Sequence, residues 1–172
     1  MNKAQDIHCV LFDVDGVLTD GSITYTNSGA EIKSFNAKDG FGINLLHQAG
    51  IRTGIITARE SEIVRKRANE LKISLVFMGK RNKLEVYESI KQDFYYLDKN
   101  IAYVGDDLLD VPILKKCGFS CAPADAVEEV KQTVDFVSTK NGGKGAVREI
   151  CEQILKAENR YNDIIKEFIG ND

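Results

Sequence analysis

The chain has 172 residues, of which 43% are hydrophobic and 28% are charged, and this length and composition suit one globular domain. The net charge of −3 arises from mixed signs along the whole chain, which argues against nucleic acid or an anionic membrane surface as a partner. No apolar run reaches the roughly 18 residues that cross a bilayer, and residues 1–10 lack the apolar core of a signal peptide, so we expect a cytoplasmic protein.

The first predicted strand, residues 8–13, is followed by a segment that is not part of a strand–helix alternation. In "GSITYTNSGAEIKSF" (21–35), two β-type runs flank "NSG". This pattern predicts a β-hairpin in which Gly29 supplies the turn conformation. Because an isolated hairpin is only marginally stable, we expect it to pack against something, for example another subunit.

The rest of the chain alternates between helical patterns and short apolar runs. Helical patterns are predicted at 40–49, 60–71, 82–92, 108–116 and 126–133, and strands between them at 52–57, 74–78, 101–106 and 118–123. The runs are apolar without alternation, which is typical of parallel strands buried on both faces. The order predicts an α/β fold with a doubly wound parallel sheet.

A C-terminal helix and tail are predicted over 145–172. Val147, Ile150, Ile154 and Leu155 fall at helical spacing, whereas beyond Asn159 the pattern weakens and fraying is expected. The preceding "NGGKG" turn could reach a neighbouring site, bind an anion at the helix N-terminus, or be a flexible lead-in. With the hairpin and the tail included, 1–172 is expected to form a single domain.

Polar residues occur where predicted strands end or helices begin. They are Asp13 and Asp15 in "FDVDG", Thr57 in "ITARES", Lys83 in "NKLEVY", and Asp106, Asp107 and Asp110 in "GDDLLD". Because ligands of such sheets bind at the carboxyl ends of the strands, Asp13, Thr57 and Asp106 should meet at that edge.

A group of carboxylates is costly unless a cation neutralises it. Oxygen ligands without a Cys or His cluster favour a hard ion, magnesium, and Lys83 offers a charge suited to a phosphate. Each motif alone has an ordinary explanation: a turn or calcium-loop fragment for D-x-D-G, a solvated lysine, and a capped loop for "GDDLLD". Their conjunction argues for a site.

These motifs together resemble those of the haloacid dehalogenase (HAD) phosphohydrolase superfamily over nearly the whole chain. "DVDGVLTDG", "KSFNAKDGFGI" and "GGKGAVRE" more closely resemble its small capless branch of 3-deoxy-D-manno-octulosonate 8-phosphate (KDO 8-phosphate) phosphatases. The resemblance implies a Rossmann-like sheet with the hairpin instead of a cap domain. It also implies a magnesium-dependent phosphatase of a small-molecule sugar phosphate, active in lipopolysaccharide biosynthesis.

The resemblance implies catalytic roles for four residues. Asp13 would be the nucleophile that becomes an aspartyl phosphate, and Asp15 the general acid and then the general base. Thr57 and Lys83 would hold the transferring phosphoryl oxygens.

The metal ligands implied by the same resemblance are the Asp13 carboxylate, the Asp15 backbone carbonyl and Asp106. Asp107 or Asp110 would support them from a more distant position.

Substrate-contacting residues implied by the resemblance are Asp15, Asn36, Ala37, Lys38, Asp39, Gly40, Arg59, Arg67 and Lys83. Arg59 and Arg67 are eight residues apart and are expected on roughly one face of the helix that carries the "ITARES" motif, where arginine suits a sugar carboxylate. In relatives that act on a sialic-type nonulosonate 9-phosphate an acidic residue tends to occupy position 59, so Arg59 favours the eight-carbon sugar. Alternatively, Arg67 belongs to a solvated basic face with Arg65 and Lys66.

Without a cap domain, the site needs another wall against water, and the resembled family implies a homotetramer. Three alternatives remain open from the sequence. The chain could be a phosphatase of a different sugar phosphate, a non-catalytic HAD-like binding module, or a receiver domain of a signalling relay. The last is disfavoured because Asp13 and Asp15 share one strand end, whereas a receiver places its acidic pair and its phosphorylated aspartate on different strands.

Overall fold

The computed structural model describes residues 3–170, in which helices cover both faces of a six-stranded sheet. The strands are β1 (Cys9–Phe12), β2 (Thr24–Tyr25), β3 (Glu31–Ile32), β4 (Arg52–Ile56), β5 (Leu75–Phe77), β6 (Ile101–Val104), β7 (Phe119–Ala122) and β8 (Phe136–Val137). The helices are α1 (Ala37–Gln48), α2 (Glu62–Glu70), α3 (Lys83–Phe94), α4 (Val111–Leu114), α5 (Glu128–Lys131), α6 (Ala146–Ala157) and α7 (Tyr161–Ile169), with a 3₁₀ turn at Asp98–Asn100.

The six-stranded sheet is parallel throughout, in the order β5-β4-β1-β6-β7-β8. From the central β1 the chain winds outward to β5, then crosses back and winds outward on the other side to β8. This confirms the predicted doubly wound α/β fold. The reversal puts the carboxyl end of β1, and therefore Asp13, at the switch point where such sheets bind ligands.

Residues of β1 alternate between two hydrophobic clusters, one on each face of the sheet. Val10 and Phe12 pack with side chains of α1, α2 and α6, whereas Cys9 and Leu11 pack with those of α3, α4 and α5. All four side chains are fully buried. A strand covered on both faces needs apolar residues at every position, which is why its sequence shows no alternation.

The hairpin predicted at 21–35 is confirmed. Strands β2 and β3 pair antiparallel, with Thr24 opposite Ile32, and Gly29 has a φ of +83° in the turn. A positive φ is readily adopted by glycine, which accounts for its position here.

The structure differs from the sequence analysis at two places in the C-terminal part of the chain. Residues 161–169 form α7 instead of fraying, because Ile164 is buried and Tyr161 and Ile165 pack against the same cluster as α6. Strand β8 was not predicted, since two residues at a sheet edge give too short a pattern. Residues 171–172 of the predicted tail lie outside the described residues.

The "NGGKG" turn packs against the D-x-D-G loop of its own chain. The Gly143 amide donates to the Val17 carbonyl at 2.9 Å, and a side chain at Gly142 would overlap the Gly16 carbonyl. The turn is therefore a tightly packed support for the residues that follow β1.

The N-terminus of α6 is occupied by a carboxylate of the same chain. Asp39 is 2% exposed and accepts hydrogen bonds from the amides of Arg148 (2.9 Å) and Gly145 (3.2 Å). A carboxylate stabilises a helix N-terminus, where free N–H groups point outward. The anion considered for this helix N-terminus is thus Asp39 itself.

Among residues 3–170, none of the helices combines the length and the apolar character that crossing a bilayer requires.

Candidate active site

Three carboxylate groups converge at the carboxyl edge of the sheet. Asp13 follows β1, Asp106 and Asp110 follow β6, and one oxygen from each lies within 4.8 Å of the others. The two strands are neighbours, and the Asp13 amide donates to the Val104 carbonyl at 2.9 Å. The expectation that strand-end position brings Asp13 and Asp106 together is confirmed.

Burial raises the pKa of two of these carboxyl groups. Burial raises the pKa of Asp13 to about 6, although the Lys83 ammonium opposes the shift. Burial, and then repulsion from Asp13, raises the pKa of Asp106 to about 8. Each group therefore resists ionisation in this environment unless a further cation is present.

Asp106 also has a buried carboxylate oxygen, Oδ1, without a hydrogen-bond partner among the described residues, which indicates a place for a cation. Leaving such an atom unpaired is costly, and carboxylate oxygens this close together are the ligands that a hard divalent ion prefers. The residues present therefore fit a magnesium ion.

Lys83 begins α3 and is buried against this cluster. Its Nζ lies 3.0 Å from Oδ2 of Asp13 and 2.7 Å from Oδ1 of Asp110. Burial tends to lower the pKa of Lys83, but the two carboxylates outweigh it and the pKa is raised, so the ammonium persists at neutral pH. A single ammonium faces three carboxyl groups here, so a second cation can be bound when they ionise.

Asp110 organises the loop that follows β6. Its carboxylate, 0% exposed, accepts hydrogen bonds from Lys83 Nζ, from the Tyr103 hydroxyl at 2.6 Å and from the amides of Asp106 and Asp107. The Asp107 carboxylate instead accepts from the next amide along the chain, at 2.7 Å. Of the two residues considered as distant supports for a metal, Asp110 is the one in the cluster.

Thr57 lies at the same edge, directly after β4. It is 3% exposed, its amide donates to the Phe77 carbonyl at 2.9 Å, and its Oγ1 accepts from the Arg59 amide at 3.3 Å. The hydroxyl thereby shapes the turn that carries Arg59.

Asp15 belongs to a different network from Asp13. Lys33 Nζ contacts its Oδ1, and Arg59 Nε lies 3.6 Å from its Oδ2. The Asp15 side chain is 20% exposed, against 11% for Asp13. The two aspartates of the D-x-D-G motif thus have separate environments, one buried among carboxylates and one between two cations.

The hairpin supplies the other half of this second network. Glu31 accepts from Arg59 Nη2 at 2.8 Å and from Ser61 Oγ at 2.9 Å, and Lys33 Nζ lies 3.6 Å from Glu31 Oε1. Sequence reasoning missed Glu31 and Lys33. The available signal was their i, i+2 spacing, which turns both side chains to one face of a strand.

Arg59 and Arg67 do not share a helix face, so that prediction is wrong. Helix α2 starts at Glu62 after the N-cap Ser61, and Arg59 lies in the turn before it. Arg67, on α2, pairs with Glu70 at 3.2 Å, and its guanidinium lies 5.9 Å from the centroid of the Phe35 ring. Its Nε is buried without a hydrogen-bond partner among the described residues.

The predicted substrate-contacting stretch 36–40 has clear structural roles. Asn36 caps α1 by accepting from the Lys38 amide at 2.8 Å, Asp39 caps α6, and a side chain at Gly40 would collide with Arg67. Ala37 and Lys38 are exposed, and Lys38 borders a groove of about 300 Å³ lined also by Lys140, Lys144 and Arg148. Substrate contacts by this stretch stay a prediction.

Comparison with known proteins identifies similar chains across nearly the whole length. The haloacid dehalogenase-like hydrolase profile matches residues 76–150. The chain is 40% identical over 163 residues to the 3-deoxy-D-manno-octulosonate 8-phosphate phosphatase KdsC of Escherichia coli (strain B / BL21-DE3), covering 95% of this chain and 87% of the relative.

Solved structures of phosphatases of this kind are also similar to the chain. A 3-deoxy-D-manno-octulosonate 8-phosphate phosphatase from Moraxella catarrhalis, in complex with magnesium ion, phosphate ion and KDO, has a TM-score of 0.95 and 40% identity, covering 96% of this chain and 95% of that one. The cobalt-bound phosphatase from Haemophilus influenzae has a TM-score of 0.89 and 41% identity, covering 93% and 94%.

Proposed function

Because the chain belongs to the haloacid dehalogenase-like hydrolases, in the family of 3-deoxy-D-manno-octulosonate 8-phosphate phosphatases, we propose that it is a magnesium-dependent enzyme that hydrolyses KDO 8-phosphate to KDO and phosphate. The observation that supports this substrate most directly is the similarity to the structure that contains magnesium, phosphate and KDO, at 40% identity with 96% of this chain covered. Such an activity serves lipopolysaccharide biosynthesis, and we place it in the cytoplasm.

We assign the metal to the Asp13 and Asp106 carboxylates and the Asp15 backbone carbonyl, with Asp110 as their support. The unpaired Oδ1 of Asp106 and the clustered carboxylates favour this assignment. When bound, magnesium supplies the positive charge that lets an anionic nucleophile approach an anionic phosphate ester.

In the first step, a carboxylate oxygen of Asp13 attacks phosphorus, and the bond between phosphorus and the sugar oxygen breaks. Asp15 donates its proton to the departing oxygen, so the sugar leaves as an alcohol. Lys83, held 3.0 Å from Asp13, and Thr57 are positioned at the same sheet edge to stabilise charge on the phosphoryl oxygens.

In the second step, Asp15 takes a proton from water, and the resulting hydroxide oxygen attacks phosphorus. The bond between phosphorus and Asp13 breaks, phosphate is released, and both aspartates return to their starting states. The separate environments of Asp13 and Asp15 support this division of roles, since one group must act on phosphorus and the other must exchange protons.

Arg59 is the residue we assign to the sugar carboxylate. It lies next to Asp15, at 3.6 Å, and its side chain is 37% exposed, so a ligand at the Asp15 carboxyl group has access to it. A guanidinium presents a planar set of donors that matches a carboxylate. We further assign Asn36, Ala37, Lys38, Asp39, Gly40 and Arg67 to the wall of the substrate pocket.

We also propose that the protein is a homotetramer assembled through the hairpin. Ile23, Tyr25 and Ile32 on this hairpin are 52%, 59% and 49% exposed. The register of β2 and β3 puts Ile23 and Tyr25 on one face of the hairpin and Ile32 on the other. Exposed apolar side chains on a projecting element favour contact with another subunit. Light scattering after gel filtration should give a tetramer for the wild type and a smaller species for Ile32→Glu; a monomeric wild type would exclude this assembly.

The substrate assignment is tested by phosphate release with magnesium across a panel of sugar phosphates. We expect the highest kcat/KM for KDO 8-phosphate. A higher kcat/KM for a nonulosonate 9-phosphate, or for another sugar phosphate, would reject the substrate but keep the phosphatase. No magnesium-dependent release from any member would instead favour a non-catalytic binding module.

A further inference from the structure

Lys33 has a buried side chain on a hairpin whose residues are mostly exposed. Its side chain is 1% exposed, whereas the preceding Ile32 is 49% exposed. Its Nζ contacts Oδ1 of Asp15 and lies 3.6 Å from Oε1 of Glu31. Nothing in the reaction described above uses this ammonium.

Burying an ammonium costs several kcal/mol unless it is paired with carboxylates in good geometry. Here both partners are carboxylates, and Glu31 is itself held by Arg59 at 2.8 Å and Ser61 at 2.9 Å. The turn that follows β4 holds Glu31 through Arg59 and Ser61, and Glu31 in turn helps to fix the position of Lys33. This arrangement links the hairpin to the side chain of Asp15.

The two oxygens of Asp15 differ in how firmly they are held. Oδ1 is anchored by Lys33, whereas Oδ2 lies 3.6 Å from Arg59 Nε, which is beyond hydrogen-bond distance. The terminal torsion of an aspartate has a broad, twofold profile, so a carboxyl group that lacks an anchor rotates readily. An anchor on one oxygen keeps the other in a constant direction.

We propose that Lys33 is a positioning residue for the reaction, which holds Asp15 through Oδ1 so that Oδ2 is the oxygen that delivers and then takes the proton. The inference rests on the proposed function, because it uses Asp15 as the proton-transfer group. It assigns to the hairpin a direct part in orienting that group.

The test compares two substrates that differ in their need for a proton. The sugar oxygen of KDO 8-phosphate is a poor leaving group and requires protonation, whereas p-nitrophenolate leaves p-nitrophenyl phosphate without it. Because Asp15 also takes a proton from water in the second step, which both substrates share, the comparison uses the rate of the first step, measured by rapid mixing with enzyme in excess as release of KDO or of p-nitrophenolate. For Lys33→Met we expect the release of KDO to slow by about 10- to 100-fold, a part of what general acid–base catalysis contributes. The release of p-nitrophenolate should slow by under about threefold, because that leaving group needs no proton.

Two further variants separate positioning from structure. Lys33→Arg keeps the charge and should recover part of the loss on KDO 8-phosphate. In an Asp15→Asn background, Lys33→Met should add no further loss, because the residues act as one unit. Lys99→Met, an exposed lysine paired with Asp6 at 2.8 Å, is the matched control and should behave as the wild type.

Equal losses of the first-step rate on both substrates, no loss on either, or a full additional loss in the Asp15→Asn background would each overturn the proposal. If Lys33→Met does not fold, the substrate comparison is made with Lys33→Arg, where a selective loss of smaller size is expected and equal losses overturn it. A wild type that acts on another sugar phosphate but not on KDO 8-phosphate would refute the proposed substrate. The role of Lys33 is then decided with that other substrate.

Discussion

The Nζ of Lys83 lies 2.7 Å from Oδ1 of Asp110, and both side chains are almost completely buried. The same carboxylate also holds Tyr103 and the amides of the "GDDLLD" loop. Lys83 therefore reaches Asp13 from a position that Asp110 determines, and the loop carrying Asp106 is anchored by the same group.

We expect Asp110→Asn to be strongly destabilising. Removing one partner of a buried ion pair costs about 3 to 5 kcal/mol, and here the loss also frees Lys83 and the Asp106 loop. Urea unfolding should show this loss, and kcat/KM should fall by more than tenfold. Tyr103→Phe, which removes a single hydrogen bond, should cost only about 1 kcal/mol. An Asp110→Asn protein as stable as Tyr103→Phe would contradict the central role of this carboxylate.

Asp13→Asn should abolish phosphate release and leave the fold intact. An amide oxygen is a poor nucleophile, so the aspartyl phosphate cannot form. Because burial raises the pKa of Asp13, replacing its carboxyl group by a neutral amide should not lower the melting temperature in the absence of metal. Activity that persists in a pure Asp13→Asn preparation would refute the nucleophile assignment.

The metal-free protein should lose stability as the pH rises. The pKa of Asp106 is raised from 3.8 to about 8, so the folded state keeps a proton that the unfolded state has already released. Stability is therefore highest below the unfolded pKa and is lost progressively as the pH rises through the folded one. With EDTA, we expect the melting temperature to be several degrees lower at pH 8.5 than at pH 5. For a chain of this size, each kcal/mol of lost unfolding free energy lowers the melting temperature by about 2 to 4 °C.

Magnesium should reverse that loss, because a bound cation favours the ionised carboxylates. Asp106→Asn should show a weaker pH dependence with EDTA and should lose the stabilisation by magnesium. A magnesium-induced shift that is unchanged in Asp106→Asn would remove this residue from the metal site.

Gly142→Ala should disturb the D-x-D-G loop from outside the motif. The added methyl group would overlap the Gly16 carbonyl, and backbone atoms cannot move away as a flexible side chain would. We expect a loss of about 1 to 3 kcal/mol in unfolding free energy and a lower kcat. Gly50→Ala is the control, since its Cβ would meet nothing within 4 Å and only its φ of +69° carries a cost. Equal effects of the two substitutions on kcat would show that the contact with Gly16 is unimportant.

Much of the site was predictable from the sequence because its signals are local. Apolar runs without alternation indicate buried parallel strands, and parallel strands bring their carboxyl ends to one edge. From these two facts alone, Asp13 and Asp106 were expected to meet, and the three-carboxylate cluster confirms it. The start of a helical pattern likewise located Lys83 at the N-terminus of α3.

Other relationships depend on which distant segments become neighbours. The spacing predicted that Arg59 and Arg67 lie on one helix. In the structure α2 begins only at Glu62, so Arg59 lies in the turn before the helix. The contact of Lys33 with Asp15 joins residues 18 positions apart, and the capping of α6 by Asp39 joins residues 109 positions apart. No local period encodes such pairs.

The sequence by itself determined the sheet, the hairpin and the identity of the groups at the strand ends, since each follows from hydrophobic periodicity and the chemistry of a few adjacent residues. Only the tertiary structure decided the electrostatic environment of each group. It placed Asp13 among buried carboxylates and Asp15 between Lys33 and Arg59. Burial and the nearest charge set what an ionisable side chain does, and both depend on the folded chain as a whole.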